Sequence, residues 1–273
     1  MKKTAHLSPA LDKTENERKN LIRKAITPCC EALKEGFAEM IWPTRCALCN
    51  KPGTYVCRDC LLSLSYIDQN YACLACGAPF GIHLCTECNS YIIQQRKRMP
   101  FVLDSTTSIL LFDHKTQQII TTYKDKGEQR LSTLFAEMIA EAIHPQLKNP
   151  YSIITTIPMR KEAKTTRGFD HMDLIAKQVS SLTSLPYFPL LAELPHQDQR
   201  KLSAQQRQEN MKGAFRLNPK RLMTINTLQT EKTSIILLDD VFTTGTTLWS
   251  AAEVLKERGF KNIHAYTLAR VLK

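Results

Sequence analysis

Residues 234–247 read SIILLDDVFTTGTT. Ile235 to Leu238 have the unbroken apolar character of a strand buried on both faces, and Asp239 and Asp240 follow directly. Thr243-Thr-Gly-Thr-Thr247 then leads into GTTLWSAAEVLKERG, a helical stretch closed by Gly259. Ligands of open α/β sheets sit beyond the carboxyl ends of the strands, so the two acids emerge where a ligand binds. Adjacent carboxylates accept hydrogen bonds from a vicinal diol, and a ribose offers one. Backbone N–H groups and hydroxyls at a helix start wrap a monophosphate, and Gly245 permits its close approach. One continuous segment, Asp239, Asp240, Thr243, Thr244, Gly245, Thr246 and Thr247, thus has the chemistry to hold a ribose 5′-phosphate.

Two plainer explanations compete. Apolar residues followed by Asp-Asp also occur at Mg2+ sites of phosphate-loop ATPases, but the chain has no GxxxxGK[ST] partner motif. Threonines at a helix start can simply cap it. Capping accounts for the threonines and leaves the acids unexplained.

Working outward, STTSILLFDH, YSIITTIP, PYFPLLAEL and NIHAYTLAR read as further strands. RLSTLFAEMIAEAI and FDHMDLIAKQVSSL read as helices between them, the first with Leu131, Leu134, Phe135, Met138 and Ile139 on one face. Alternating strands and helices predict a mainly parallel sheet in an α/β domain over 101–273. YSIITTIP should end at the same edge as Asp239, which makes Met159, Arg160, Lys161 and Arg167 candidates for a second phosphate or pyrophosphate contact, since guanidinium groups suit phosphate oxygens. A surface loop with its three bases solvated is the alternative there. A polar insert, HQDQRKLSAQQRQENMKG, follows from His196, itself as readily a surface histidine as a catalytic one. No residue in it identifies itself as a catalytic base.

Ahead of this domain stand the cysteines. Eight of ten fall in four pairs, Cys46/Cys49, Cys57/Cys60, Cys73/Cys76 and Cys85/Cys88, all within 43 residues. Each CxxC knuckle presents two thiolates and two knuckles complete a tetrahedral shell, so the stretch has ligands for two structural zinc ions. Gaps of seven and eight residues favour sequential pairing; a nested pairing satisfies the same spacing rule. Disulfides and redox dithiols fit less well, because no export signal and no thioredoxin-like strand accompany the pairs. Cys29 and Cys30 read as free thiols. Residues 1–30 read as a flexible polar arm, and 31–93 as a helix carrying Leu33, Phe37, Met40 and Ile41, stopped by Pro43, plus the double zinc module.

The 273 residues, 43% hydrophobic, suffice for one medium domain and a smaller one. The 37 Lys+Arg outnumber 26 Asp+Glu for a net charge of +11, which favours an anionic partner, a phosphorylated metabolite or a nucleic acid. The basic run Gln94 to Met99 is a linker or a nucleic-acid contact. No run approaches a membrane span and no apolar segment follows the first lysines, so the expectation is a cytoplasmic protein.

The strand, acid pair and threonine loop resemble the PRPP-binding signature of type I phosphoribosyltransferases. Joined to the CxxC knuckles, Tyr123-Lys124 with Gly127, Ile157-Pro158, Arg167-Gly-Phe-Asp-His171 and the Gln199 to Phe215 segment, they resemble the ComF family over roughly residues 37–273. The family commonly carries RGFNQ where this chain has RGFDH. The resemblance implies a type I phosphoribosyltransferase-like domain behind a zinc module, Mg2+-dependent PRPP binding at the acid pair and threonine loop, and a role in DNA uptake during natural transformation. It also implies single-stranded DNA and a DNA-uptake helicase as partners, with tyrosines such as Tyr55, Tyr66, Tyr71 and Tyr91 available for stacking. Whether the domain catalyses is left open, the alternative being an active phosphoribosyltransferase of nucleotide salvage or regulation.

Overall fold

The computed structural model describes residues 44–81, 83–95, 102–194 and 214–272. The expected arm and first helix, Cys29 and Cys30, residues 96–99 of the basic run and the insert from His196 to Asn210 lie outside the described residues. The chain divides into two units, 1–57 and 58–273.

In the first unit the described chain is a tight knuckle. Cys46 N–H donates to Lys51 O and Asn50 N–H to Cys46 O, at 2.8 and 2.9 Å, which turns the backbone back on itself around Cys46 and Cys49. Asn50 sits in the left-handed region at φ 64°, a conformation Asn tolerates better than most residues.

The second unit opens with two short helices, α1 (Arg58–Leu62) and α2 (Ser90–Gln95). The α/β layer follows: β1 (Ser105–Leu111), α3 (His114–Lys124), α4 (Leu131–Ala142), β2 (Ser152–Thr156), α5 (Lys161–Arg167), α6 (His171–Thr183), β3 (Leu191–Glu193), β4 (Phe215–Leu217), α7 (Leu222–Thr227), β5 (Ser234–Phe242), α8 (Thr246–Glu257) and β6 (Asn262–Arg270). Four strands form a parallel sheet in the order β1-β6-β5-β2. Ile235 to Leu238 of central β5 are fully buried, as their unbroken apolar run requires; each such side chain contributes about 2 kcal/mol.

Alternation splits β5 between two cores. Ile235 and Leu237 join Leu248, Trp249, Ala251, Ala252 and Leu255 of α8, together with Cys73, Cys76, Cys85 and Cys88. Ile236 and Leu238 face the other way, the side on which α4 and α6 pack against each other and the sheet. The second cysteine group is therefore part of the sheet's own core. Backbone contacts fix it further: Thr106 N–H donates to Leu74 O at 2.7 Å and Thr106 Oγ1 to Ala75 O at 3.1 Å, tying the Cys73–Cys76 turn to β1.

Two elements differ from the sequence reading. PYFPLLAEL yields only three residues of strand, β3, paired antiparallel with β4 outside the main sheet. Pro186 and Pro189 lack the N–H groups a continuous ladder needs, so the segment touches β2 through Phe188 N–H and Ile154 O, at 2.9 Å, and then leaves. Helix α3 was not evident from HKTQQIITTYK, which is rich in β-branched residues. Asp113 accepts from Thr116 N–H as its N-cap, and Ile119, Ile120 and Tyr123 bury one face. Packing overrides propensity there.

Candidate functional site

Strand β5 delivers the acid pair, and the turn into α8 carries the candidate phosphate loop. Asp239 and Asp240 follow the buried run, and Ile157 N–H donates to Leu238 O at 3.0 Å, so the exit of β2 lies beside them. Asp240 N–H donates to Asp239 Oδ1 at 2.9 Å. The two carboxyls live in different fields. Burial and the neighbouring charge of Asp240 push Asp239 well above the ordinary carboxylate range. Burial acts in the same direction on Asp240, but a hydrogen bond from His171 and the Lys124 ammonium overcome it and hold Asp240 below that range. One acid is a firm anion and the other is poised toward its neutral form.

The partners of Asp240 come from two segments whose roles the residue types alone did not reveal. Lys124 Nζ, at the end of α3, pairs with Asp240 Oδ2, and His171 Nε2, at the start of α6, lies 2.9 Å from the same oxygen. Tyr123, adjacent to Lys124, donates its hydroxyl to His171 O at 2.6 Å and packs edge-on against Phe135 and Phe169. Tyr123 and Lys124 thus lock the His171 backbone and the Asp240 side chain from one helical turn. The departure from RGFNQ has a structural answer: Asp170 caps α6 by accepting from Asp173 N–H at 3.2 Å, and His171 reaches the acid pair. His171 Nδ1 is buried without a hydrogen-bond partner among the described residues. The Nε2–H tautomer leaves only a lone pair unmet there, the less costly arrangement.

Thr243, Thr244 and Gly245 form the turn between β5 and α8, and Thr246 and Thr247 open the helix. Gly245 is the N-cap, at φ 82°, so the capping position carries no side chain and the first N–H groups of this twelve-residue helix gain no side-chain cap there. That favours an anion site over simple capping. Thr244 and Thr246 hydroxyls lie 2.9 Å apart. A Cβ on Gly245 would stand 2.6 Å from Phe242 Cζ and 2.7 Å from Trp249 Cζ2. Gly245→Ala is therefore expected to cost about 3 kcal/mol, from left-handed strain plus overpacking. Thermal unfolding measured beside wild type checks this; an unchanged midpoint would mean the loop is free to move.

The other phosphate candidates spread out. Met159 follows β2, Arg160 is the N-cap residue of α5 with Nε 3.4 Å from Glu193 Oε1, and Lys161 is the first residue of α5. Arg167 closes α5, its Nη2 3.2 Å from Asp125 Oδ1. Lys124, Asp125, Lys126, Gly127, Thr166 and Arg167 line a cavity of about 460 Å³, which shares Lys124 with the acid pair.

The cysteines gather in the sequential arrangement. The sulfurs of Cys46, Cys49, Cys57 and Cys60 lie within 4.8 Å of one another, and so do those of Cys73, Cys76, Cys85 and Cys88. In the second group Cys73 Sγ is 3.5 Å from Cys88 Sγ, and Cys76 Sγ is 3.6 Å from Cys85 Sγ. A tetrahedral shell with metal–sulfur bonds of about 2.3 Å has edges of about 3.8 Å, whereas a disulfide needs about 2 Å. Backbone N–H groups point at sulfur in both groups, Cys57 N–H to Cys46 Sγ and Glu87 N–H to Cys85 Sγ, each at 3.4 Å. Both tetrads can hold a metal ion, and four-sulfur donor sets of this spacing are compatible with zinc.

Comparison with known proteins bears on the whole arrangement. The phosphoribosyl transferase domain model matches residues 136–273. Competence protein ComFC of Bacillus subtilis is 25% identical over 93% of this chain and 99% of its own length. Competence protein F of Haemophilus influenzae is 32% identical over 46% of this chain and 52% of its own length. The DNA utilization protein YhgH of Escherichia coli O157:H7 is 26% identical over 84% and 98%. Among the described residues no helix is long and apolar enough to cross a membrane. With a family model over its carboxyl-terminal half and ComF-type relatives along nearly its whole length, the chain belongs to the phosphoribosyl transferase domain family, as a ComF-family protein.

Proposed function

We propose that the chain binds PRPP as its Mg2+ complex and serves DNA uptake in the cytoplasm, as the names of its relatives suggest. The observation that carries the ligand is the pairing of a fixed anion, Asp240, with an open helix N-terminus after Gly245 on one strand–loop–helix segment. Asp239 and Asp240 meet the ribose hydroxyls. Thr243 to Thr247 hold the 5′-phosphate. Met159 to Lys161 and Arg167 are the candidates for the pyrophosphate, whose oxygens the guanidinium groups of Arg160 and Arg167 would meet. Zinc in the two cysteine tetrads would hold the knuckles closed, with no open position for catalysis.

A second surface supports a nucleic-acid partner. Tyr66, Tyr71, Phe80 and Tyr91 are exposed on the cysteine-rich part of the second unit, and the chain carries a net charge of +11. Exposed aromatics on a cationic protein suit stacking by unpaired bases, so single-stranded DNA is the proposed polymer, with a helicase of the uptake machinery as the expected protein partner. Phe80 stands at φ 57°, a strained backbone for a bulky residue.

Calorimetric titration of Mg2+–PRPP tests the reading, and single-stranded DNA titrated at two salt concentrations tests the polymer. PRPP is expected to bind with weak salt dependence, and DNA affinity to fall steeply with salt through counterion release. Absence of PRPP binding would reduce the domain to a scaffold. Transfer of the phosphoribosyl group to an acceptor in the presence of PRPP would instead favour an active phosphoribosyltransferase of salvage or regulation.

A further inference from the structure

Arg270 closes β6 with its side chain almost completely buried. A buried guanidinium must be compensated on every side or it costs several kcal/mol. Its Nε has no hydrogen-bond partner among the described residues, and the rest of the group is compensated from two sides. Nη1 donates to Thr243 O at 3.1 Å and Val271 O at 2.8 Å, and the guanidinium lies 4.2 Å from the centre of the Phe242 ring. Nη2 stands 3.9 Å from Glu87 Oε2. Thr243 belongs to the phosphate loop, and Glu87 lies between Cys85 and Cys88 of the second tetrad. Phe242 packs edge-on against Trp249 of α8, and both rings crowd Gly245.

We propose that Arg270 is the positioning residue of the phosphate loop, and that through Glu87 it ties the loop's shape to the conformation of the second cysteine group. The inference rests on the reading that the loop holds a sugar phosphate. The physical link is geometric. Glu87 is held to the second cysteine group by its own N–H, which donates to Cys85 Sγ at 3.4 Å, and its carboxylate stands by Arg270, whose Nη1 grips Thr243 O. A displacement of the Cys85–Cys88 turn therefore reaches the loop without any direct contact between tetrad and ligand. The shared core of Cys73, Cys76, Cys85 and Cys88 with Leu248 and Trp249 transmits the same change by packing.

Glu87→Gln and Arg270→Lys test this in the full, zinc-loaded chain, with zinc content, hydrogen exchange and Mg2+–PRPP affinity all read. Glu87→Gln keeps the shape and one acceptor oxygen while removing the charge, so it is the variant that folds if Arg270→Lys does not. The expected result is wild-type zinc content, faster exchange confined to residues 242–248 and affinity reduced about tenfold. Exchange at Ile235 to Leu238 should stay slow. Wild-type loop exchange in Glu87→Gln would overturn the proposal, and so would a uniform rise across the sheet, which marks a merely structural role. The exchange arm decides even where the wild-type protein fails to bind PRPP, an outcome that would overturn the ligand reading alone.

Discussion

Asp240→Asn weakens Mg2+–PRPP binding by at least about 100-fold, and Asp239→Asn by only about tenfold. Asp240 is held ionised by His171 and Lys124, so a ribose hydroxyl donating to it makes a charge-assisted bond worth about 1.5–3 kcal/mol. An amide at position 240 loses that bond and also releases Lys124 and His171, which no longer share an anion. Together these losses come to about 3 kcal/mol, or roughly a hundredfold in Kd. Asp239 differs because burial and the charge next door press it toward the neutral acid, and an asparagine amide is close to that form in shape and charge. Calorimetric titration of both variants gives the ordering. Equal losses would mean that the two acids titrate alike once ligand arrives, and near-wild-type affinity for Asp240→Asn would remove the ribose from this segment.

How much of this was legible in the chain depends on the kind of interaction. The sheet was, because Ile235 to Leu238 and their counterparts in the other strands carry buried-strand composition and sequence-local punctuation. The positions of Asp239, Asp240 and Gly245 followed from the same segment. His171 and Lys124 did not, since nothing in residue type says that positions 124, 171 and 240 converge on one oxygen. Their only trace was membership of the Tyr123-Lys124 and Arg167–His171 motifs, and RGFDH in place of RGFNQ obscured even that. Arg270 was hidden for a related reason: a lone arginine ending a strand reads as a solvent-facing base, and its burial becomes visible only when Glu87 and Phe242 are brought around it. Short β3 is the reverse case, where Pro186 and Pro189 stood in the sequence but the apolar residues between them dominated the reading.

The two tetrads are expected to answer very differently to loss of a ligand. Cys76→Ser removes a thiolate that is 1% exposed and belongs to the apolar cluster shared by β5 and α8. A structural zinc contributes about 10–16 kcal/mol of apparent binding free energy in small zinc modules, comparable with the whole stability of an ordinary domain at about 5–15 kcal/mol. Even partial loss, with a serine hydroxyl left buried among apolar side chains, should shift the domain's unfolding into the physiological temperature range. Cys49→Ser acts on an exposed position of the other tetrad, none of whose four cysteines belongs to that cluster. It should release one ion while leaving thermal unfolding of the α/β domain and PRPP affinity nearly unchanged. Elemental analysis of anaerobically purified protein should give about two zinc ions per chain for wild type and about one for each variant, from two all-cysteine shells. Wild-type protein without zinc would sink the metal assignment. Equal thermal losses in the two variants would contradict the asymmetry, because they would require the first tetrad to support the sheet as strongly as the one built into its core.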